Sequence, residues 1–298
     1  MNTKKLVFKS AIGAMFTASL LFSSCGKKAQ IETAANNEEA TAQNKEEGDA
    51  IGNETQNITD AAAKNGSSIV GRIGSSSFME IAEASQCATI TRDTTATIRT
   101  ISIEFGLQSN GSYSNCLCND GRYRRGKIIV THTGNYFDDG SVKTITFLDF
   151  YRNDNRLQGT RVVTNKGLNS SGNRHWEVVE TDMIITKADG KIHTWNSTRD
   201  REMLSGSATP YVWLDDEYQI TGAASGVNQN GINYTSTITT PLHRNMNCKW
   251  IDKGIIEFEN DKGAKRTIDY GNGLCDAIAT VTVTSARGKT KTKEITLK

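Results

Sequence analysis

Tight turns punctuate this chain at short, regular intervals. From residue 126 onward, segments such as "GKIIVTHT", "SVKTITFLDFY", "GTRVVTN", "HWEVVETDMIIT", "KIHTWNST", "EYQITGAASGV", "INYTSTITT", "KGIIEFE", "KRTIDYG", "AIATVTVT" and "KEITL" are short and rich in β-branched and aromatic residues. Turn-forming clusters separate them: "DDG" at 138–140, "NDN" at 153–155, "ADG" at 188–190, "QNG" at 229–231, "NDKG" at 260–263 and "ARG" at 286–288. Asp189-Gly190 and Asn230-Gly231 are expected to form type I′ hairpin turns, which need positive φ at both central positions. Connections this short leave no room for crossover helices, and the chain holds only 2 prolines. The fold class is therefore all-β: an antiparallel meander forming a sandwich, a barrel or a broad twisted sheet. A single helix is predicted, "SSSFMEIAEAS" at 75–85, opening from a serine cap. Strict alternation through 142–151 sends Val142, Leu148 and Phe150 to one face and Ile145, Phe147 and Tyr151 to the other. A strand apolar on both faces is central in a two-layer body or covers a ligand pocket.

The N-terminus reads differently. Lys4, Lys5 and Lys9 precede an apolar run from Ala11 to Phe22, and Ser23 and Ser24 lead into Cys25. The run is shorter than the ~20 residues of a membrane span, so it reads as a secretion signal. Its end resembles a bacterial lipobox, which implies diacylation of Cys25, cleavage before it and acylation of the new N-terminus. Residues 1–25 are thus expected to be a lipoprotein signal peptide, leaving a chain anchored by lipid without crossing the bilayer. Residues 26–66 hold only Ile31, Ile51 and Ile58 as large apolar groups, too few to offset the entropy of ordering, and read as a disordered tether. Residues 67–298 form the antiparallel body. Its 28 basic and 25 acidic residues leave it close to neutral, which gives no electrostatic footprint for nucleic acid.

The body also repeats itself. "RTISIEFG" at 99–106 leads to a cysteine and then "GKIIV"; "RTIDYGNGLC" at 266–275 leads to a cysteine and then "ATVTV". Each block has a cysteine upstream, so 87–130 and 248–283 read as two related strand–strand units, each stapled by a bridge. Five cysteines besides Cys25 would face an oxidising compartment, so two bridges leave one thiol over. The expected pairs are Cys248 with Cys275 and Cys87 with Cys118. Cys116 is the alternative partner of Cys87, since positions two apart on a strand share a face.

The blocks "DGRYRRGKIIVTHTGNYFDDGSVKTITFLDFYRNDNRLQGTRVVTN" (120–165), "DDEYQITGAASGVNQNGINYTSTITTPL" (215–242) and "CKWIDKGIIEF…KRTIDYGNGLCDAIATVTV" (248–283) resemble an uncharacterised lipoprotein family of Bacteroidota-type bacteria. The resemblance implies an all-β lipoprotein of the outer membrane and carries no activity with it. Lys27 and Lys28 follow Cys25 directly, with Glu38 and Glu39 only later, which leaves both the periplasmic and the surface-exposed orientation open.

Two stretches are candidate binding sites. Arg122, Arg124 and Arg125 flank Tyr123 and could form an anion-binding face, or a strand edge guarded by charge. Tyr211, Trp213 and Asp215 lie in "PYVWLDDEYQI", a mixture of aromatics and carboxylates suited to a sugar-binding groove. Asp215, Asp216 and Glu217 are the carboxylates that an acid/base glycan hydrolase would use. No metal site is expected, because the four histidines are scattered and no ligand-spaced cysteines occur; no cofactor is expected either. The expectation is a lipid-anchored cell-envelope protein with a binding or scaffolding role, its partner an envelope protein or a glycan. The alternative is a lipid-anchored glycan hydrolase.

Overall fold

The computed structural model describes residues 87–297 except 94, 96, 97, 119, 120, 210, 211 and 213, together with Thr55 and Thr59. The chain forms one open antiparallel sheet, so of the three arrangements open to a meander it adopts the broad single sheet. Its strands are β1 (Ala88–Asp93), β2 (Arg99–Phe105), β3 (Cys116–Leu117), β4 (Tyr123–His132), β5 (Val142–Arg152), β6 (Asn155–Leu168), β7 (Arg174–Thr186), β8 (Ile192–Ser205), β9 (Glu217–Val227), β10 (Asn233–Asn245), β11 (Lys253–Asn260), β12 (Lys265–Asn272), β13 (Ile278–Thr284) and β14 (Thr290–Thr296). Apart from β3, which pairs only with β4, their order across the sheet is their order along the chain. The predicted helix at 75–85 and Cys25 lie outside the described residues. Within the stretch read as a tether, Thr55 and Thr59 are described; both are helical and buried, so at these two positions the chain is packed rather than solvated.

Seven hairpins and loops share one turn. The first residue of a five-residue stretch donates its backbone N–H to the carbonyl of the fifth and accepts from the glycine at the fourth. It recurs at 108–112, 118–122, 169–173, 187–191, 228–232, 260–264 and 285–289. At 187–191 and 228–232 only Gly190 and Gly231 have positive φ, so these hairpins exist but not as type I′ turns. They are type I turns closed by a left-handed glycine, a geometry that also follows the strand twist. Asparagine at the first position reinforces it: Asn228 Oδ1 accepts from the backbone of Asn230 and Ile232, and Asn260 Oδ1 from Lys262 and Ala264. The two-residue turn with positive φ at both centres falls instead at Asn153-Asp154.

Residues opposite one another on neighbouring strands share a face, so the register traces lateral rows across the sheet. One row runs Ile101, Val130, Ile145, Arg161, Glu180, Ser197, Ala224, Ser236, Phe258, Arg266, Val283. This inner face carries all three apolar clusters: one around Ile103, Phe105, Ile128, Phe150 and Trp195, one around Val163, Trp176, Met203 and Tyr218, and one around Tyr234, Phe258, Ile268 and Val281.

Bulges interrupt the ladder in neighbouring strands and bend it. Gly126 in β4 lies against Asp149 and Phe150 of β5, at φ 94, and a methyl group built on it would lie 1.9 Å from the Asp149 carbonyl oxygen. Gly159 in β6 abuts Asp182 and Met183 of β7 in the same way. The Asp149 bulge also corrects the alternation expected in β5. Phe150 joins Ile145 and Phe147 on the inner side, while Leu148 is 51% exposed.

Disulfides join Cys248 with Cys275, as expected, and Cys87 with Cys116, with Cα atoms 5.7 Å and 5.6 Å apart. The pairing of Cys87 with Cys118 is therefore replaced by its alternative. Cys118 begins the turn at 118–122 and is drawn into the core, whereas Cys116 stands on β3. Each bridge ties a residue upstream of a hairpin's first strand to a residue beyond its second: β1–β2 in one unit, β11–β12 in the other.

Candidate functional site

The arginine cluster does not form a surface patch. β4 lies inside the sheet, and Arg124 is fully buried beneath the Phe105 ring, 5.9 Å from its centroid. Arg125 donates to Asp154 and to Asn115, each at 2.6 Å, and stacks 3.7 Å from the Tyr151 centroid. The Asn115 amide in turn donates to Asp154 at 3.1 Å, and this bond, followed by the one from Arg125, holds the Asp154 carboxyl below its ordinary pKa. Arg122 is half-buried beside them. The charge expected to guard an edge instead anchors β4 to its neighbours.

In the acidic stretch, Tyr211 and Trp213 lie outside the described residues. Asp215 accepts from the Thr209 hydroxyl at 2.7 Å, and Asp216 is buried, accepting from the Tyr218 hydroxyl at 2.8 Å. Glu217 accepts from Asn245 at 3.1 Å and lies 3.6 Å from His243 Nε2. Burial pushes the Tyr218 hydroxyl well above the usual tyrosine range, with neighbouring Tyr136 and Asp216 adding to it. None of the three carboxylates lines the cavity described next.

That cavity, of about 580 Å³, opens at the end of the inner face where β2 and β5 begin and β4 ends. Arg99, His132 and Lys143 stand directly opposite one another across β2, β4 and β5. All three point to the inner face, in register with Ile101, Val130 and Ile145 one step further in, and all three line the cavity. Strands are spaced by roughly 4.8 Å, so an arginine, a histidine and a lysine share one lateral row. Arg99 donates to Asn135 Oδ1 at 3.4 Å, and His132 Nδ1 lies 3.0 Å from the Gly134 carbonyl. Lys143 is buried, with Nζ 3.5 Å from the Thr59 hydroxyl and 5.6 Å from the Tyr136 ring centroid.

The opposite wall is aromatic. Tyr136 stacks on Trp176 at 4.9 Å between centroids, and Phe137 meets Tyr136 edge-on at 5.1 Å. The loop carrying them, residues 133–141, is held down by its own backbone. The Tyr136 carbonyl accepts from Asn165 Nδ2 at 3.0 Å and from the Trp176 indole at 3.4 Å. Asn165 exchanges main-chain bonds with Gly140 and Ser141. Arg174, also on the wall, is bound to Asp139 and to Asn165.

No motif reading found this site, because Arg99, His132 and Lys143 lie far apart in the chain. The signal that could have found them is positional: Arg99 and Lys143 stand at the start of "RTISIEF" and "VKTITF" and His132 at the end of "GKIIVTH", termini that antiparallel pairing brings to one end of the sheet. Among the described residues no group of three or more His, Cys, Asp or Glu converges to hold a metal ion. Comparisons with protein-family models, with curated proteins and with solved structures give no match to the chain.

Proposed function

We propose that this is a lipid-anchored protein of the bacterial cell envelope whose β body binds a small ligand in the cavity at the end of β2, β4 and β5. The anchor follows from the signal-like N-terminus and Cys25, and the resemblance of 120–165, 215–242 and 248–283 to outer-membrane lipoproteins points the same way. One observation carries the binding role: a row of basic side chains faces an aromatic wall across a cavity of ligand size. The carboxylates of a hydrolase reading are each held by neighbouring side chains elsewhere, so binding is the better supported activity.

Two measurements test this. Fatty-acid labelling should be lost in Cys25→Ser, and labelling that persists would remove the anchor. Native mass spectrometry of the mature chain drawn gently from its own envelope should show a non-covalent small-molecule adduct that Tyr136→Ala loses. A bare chain that no member of a small-molecule panel stabilises against heat would favour a purely structural role.

A further inference from the structure

We infer that the inner face beside the cavity is the docking surface of the chain's own segment 51–62, seated there by Thr55 and Thr59. Both threonines are helical, and they are only 3% and 0% exposed. Their spacing of four is the one that puts two side chains on the same side of a helical turn. A threonine on a solvated tether would keep its hydroxyl in water. Thr59 instead accepts from Lys143 Nζ at 3.5 Å, across 84 residues of chain. Lys143 stands on the inner face of β5, opposite Val163 of β6, and is itself buried. An ammonium is withdrawn from water only beneath a cover, and Thr59 reaches this one from outside the sheet. With the Tyr136 ring centroid 5.6 Å from the same Nζ, the lysine is held between the 133–141 loop and Thr59.

The sequence around the two threonines carries the pattern that such a seat needs. Ile51, Ile58 and Ala62 lie at −4, +3 and +7 from Thr55, the positions that share its side of a helix. Asn53, Glu54, Gln56, Asn57 and Asp60 fall at the positions between. Ile51 and Ile58 are too few to order the whole of 26–66, yet enough to make one short apolar stripe with the two threonines. The inner face continues from Lys143 through Val163 and Val178, both buried, so an apolar stripe meets an apolar floor. Because Lys143 also lines the cavity, the docked segment positions one residue of that wall. In the lipid-anchored reading proposed above, the cavity end of the sheet is then the end turned toward the anchor, with residues 26–50 between them. The docking itself depends neither on that anchor nor on a ligand.

Two footprints on the mature full-length chain test the docking. Hydrogen exchange at the amides of 51–62 should run at least ~10-fold slower than in an unstructured chain. Acetylation by sulfosuccinimidyl acetate should reach Lys143 at least ~10-fold more slowly than Lys166, whose side chain is 45% exposed. Thr59→Arg sets a guanidinium against the Lys143 ammonium at a fully buried position. In that variant the protection of 51–62 should be lost, and Lys143 should label at least ~10-fold faster than in the parent. Ile58→Asp, a second variant that leaves the Thr59 hydroxyl in place, should lose the same protections. Gln56→Arg, off the stripe, should change neither. Continued protection of the β6–β8 amides shows that the body of each variant is folded, and the parent footprints stand without any variant. Coil-rate exchange of 51–62 or fast labelling of Lys143 in the parent would overturn the docking. So would slow labelling of Lys143 in a folded Thr59→Arg chain, or a Gln56→Arg chain as disturbed as Thr59→Arg.

Discussion

Glu180 accepts the Trp195 indole N–H at 2.9 Å, and this bond stands where two apolar clusters of the inner face meet. The same carboxylate accepts from the Ser197 hydroxyl at 2.6 Å and from Arg161 at 3.0 Å. A buried acid with three donors from β6 and β8 is satisfied as long as all partners stay. Removing it leaves the Arg161 guanidinium largely out of water without its counter-charge. Glu180→Ala should therefore cost about 3–5 kcal/mol, read as a drop in the urea midpoint, whereas joint replacement of Glu180 and Arg161 by leucine should recover much of the loss. A single variant as stable as the parent would show that the pair is no seal.

Two glycines with similar φ should behave very differently. Gly126→Ala meets both a left-handed backbone and the Asp149 carbonyl, and should destabilise by roughly 3 kcal/mol. Gly190, at φ 82, has nothing within 4 Å of a built Cβ, so Gly190→Ala should cost only about 1–2 kcal/mol. Thermal denaturation of the two variants side by side checks the order.

Thiol labelling tests the cross-links. Among residues 87–297 of the oxidised chain, maleimide should leave the native protein unmodified and add once after unfolding, at buried Cys118. A tryptic fragment labelled at Cys116 would reverse the pairing. Cys248→Ser and Cys87→Ser should each cost roughly 3 kcal/mol, since each opens a loop of similar length.

Tyr218 predicts the alkaline limb of stability. Its folded pKa is raised by burial, so the protonated form is favoured in the folded state. The contribution is whole below the unfolded value of about 10 and is lost as pH rises from there toward the folded value. Tyr218→Phe should flatten that decline, while costing about 1 kcal/mol at neutral pH through the lost bond to Asp216. An unchanged alkaline slope would remove Tyr218 as its source.

Turn chemistry made most of this fold legible. Asn228, Asn260 and the glycine three residues after each are local signals, and a hairpin needs little else. Bulges were hidden, because Gly126 and Asp149 look like ordinary strand residues until their positive φ is seen. That is why period-two reading placed Phe150 on the wrong side of β5 from Ile145. The candidate site was hidden for a related reason. Arg122, Arg124 and Arg125 form the conspicuous basic run, yet strand pairing uses them internally. The row of Arg99, His132 and Lys143 exists only once β2, β4 and β5 are in register.

Because strand order across the sheet is strand order along the chain, each strand after β4 needs only its immediate predecessor to find its place. A chain emerging unfolded N-terminus first would add hairpin upon hairpin to a growing edge, with no strand waiting for a distant partner. The two bridges fall near the two ends of that sequence of events, so oxidation would fasten the first hairpin while the last was still arriving.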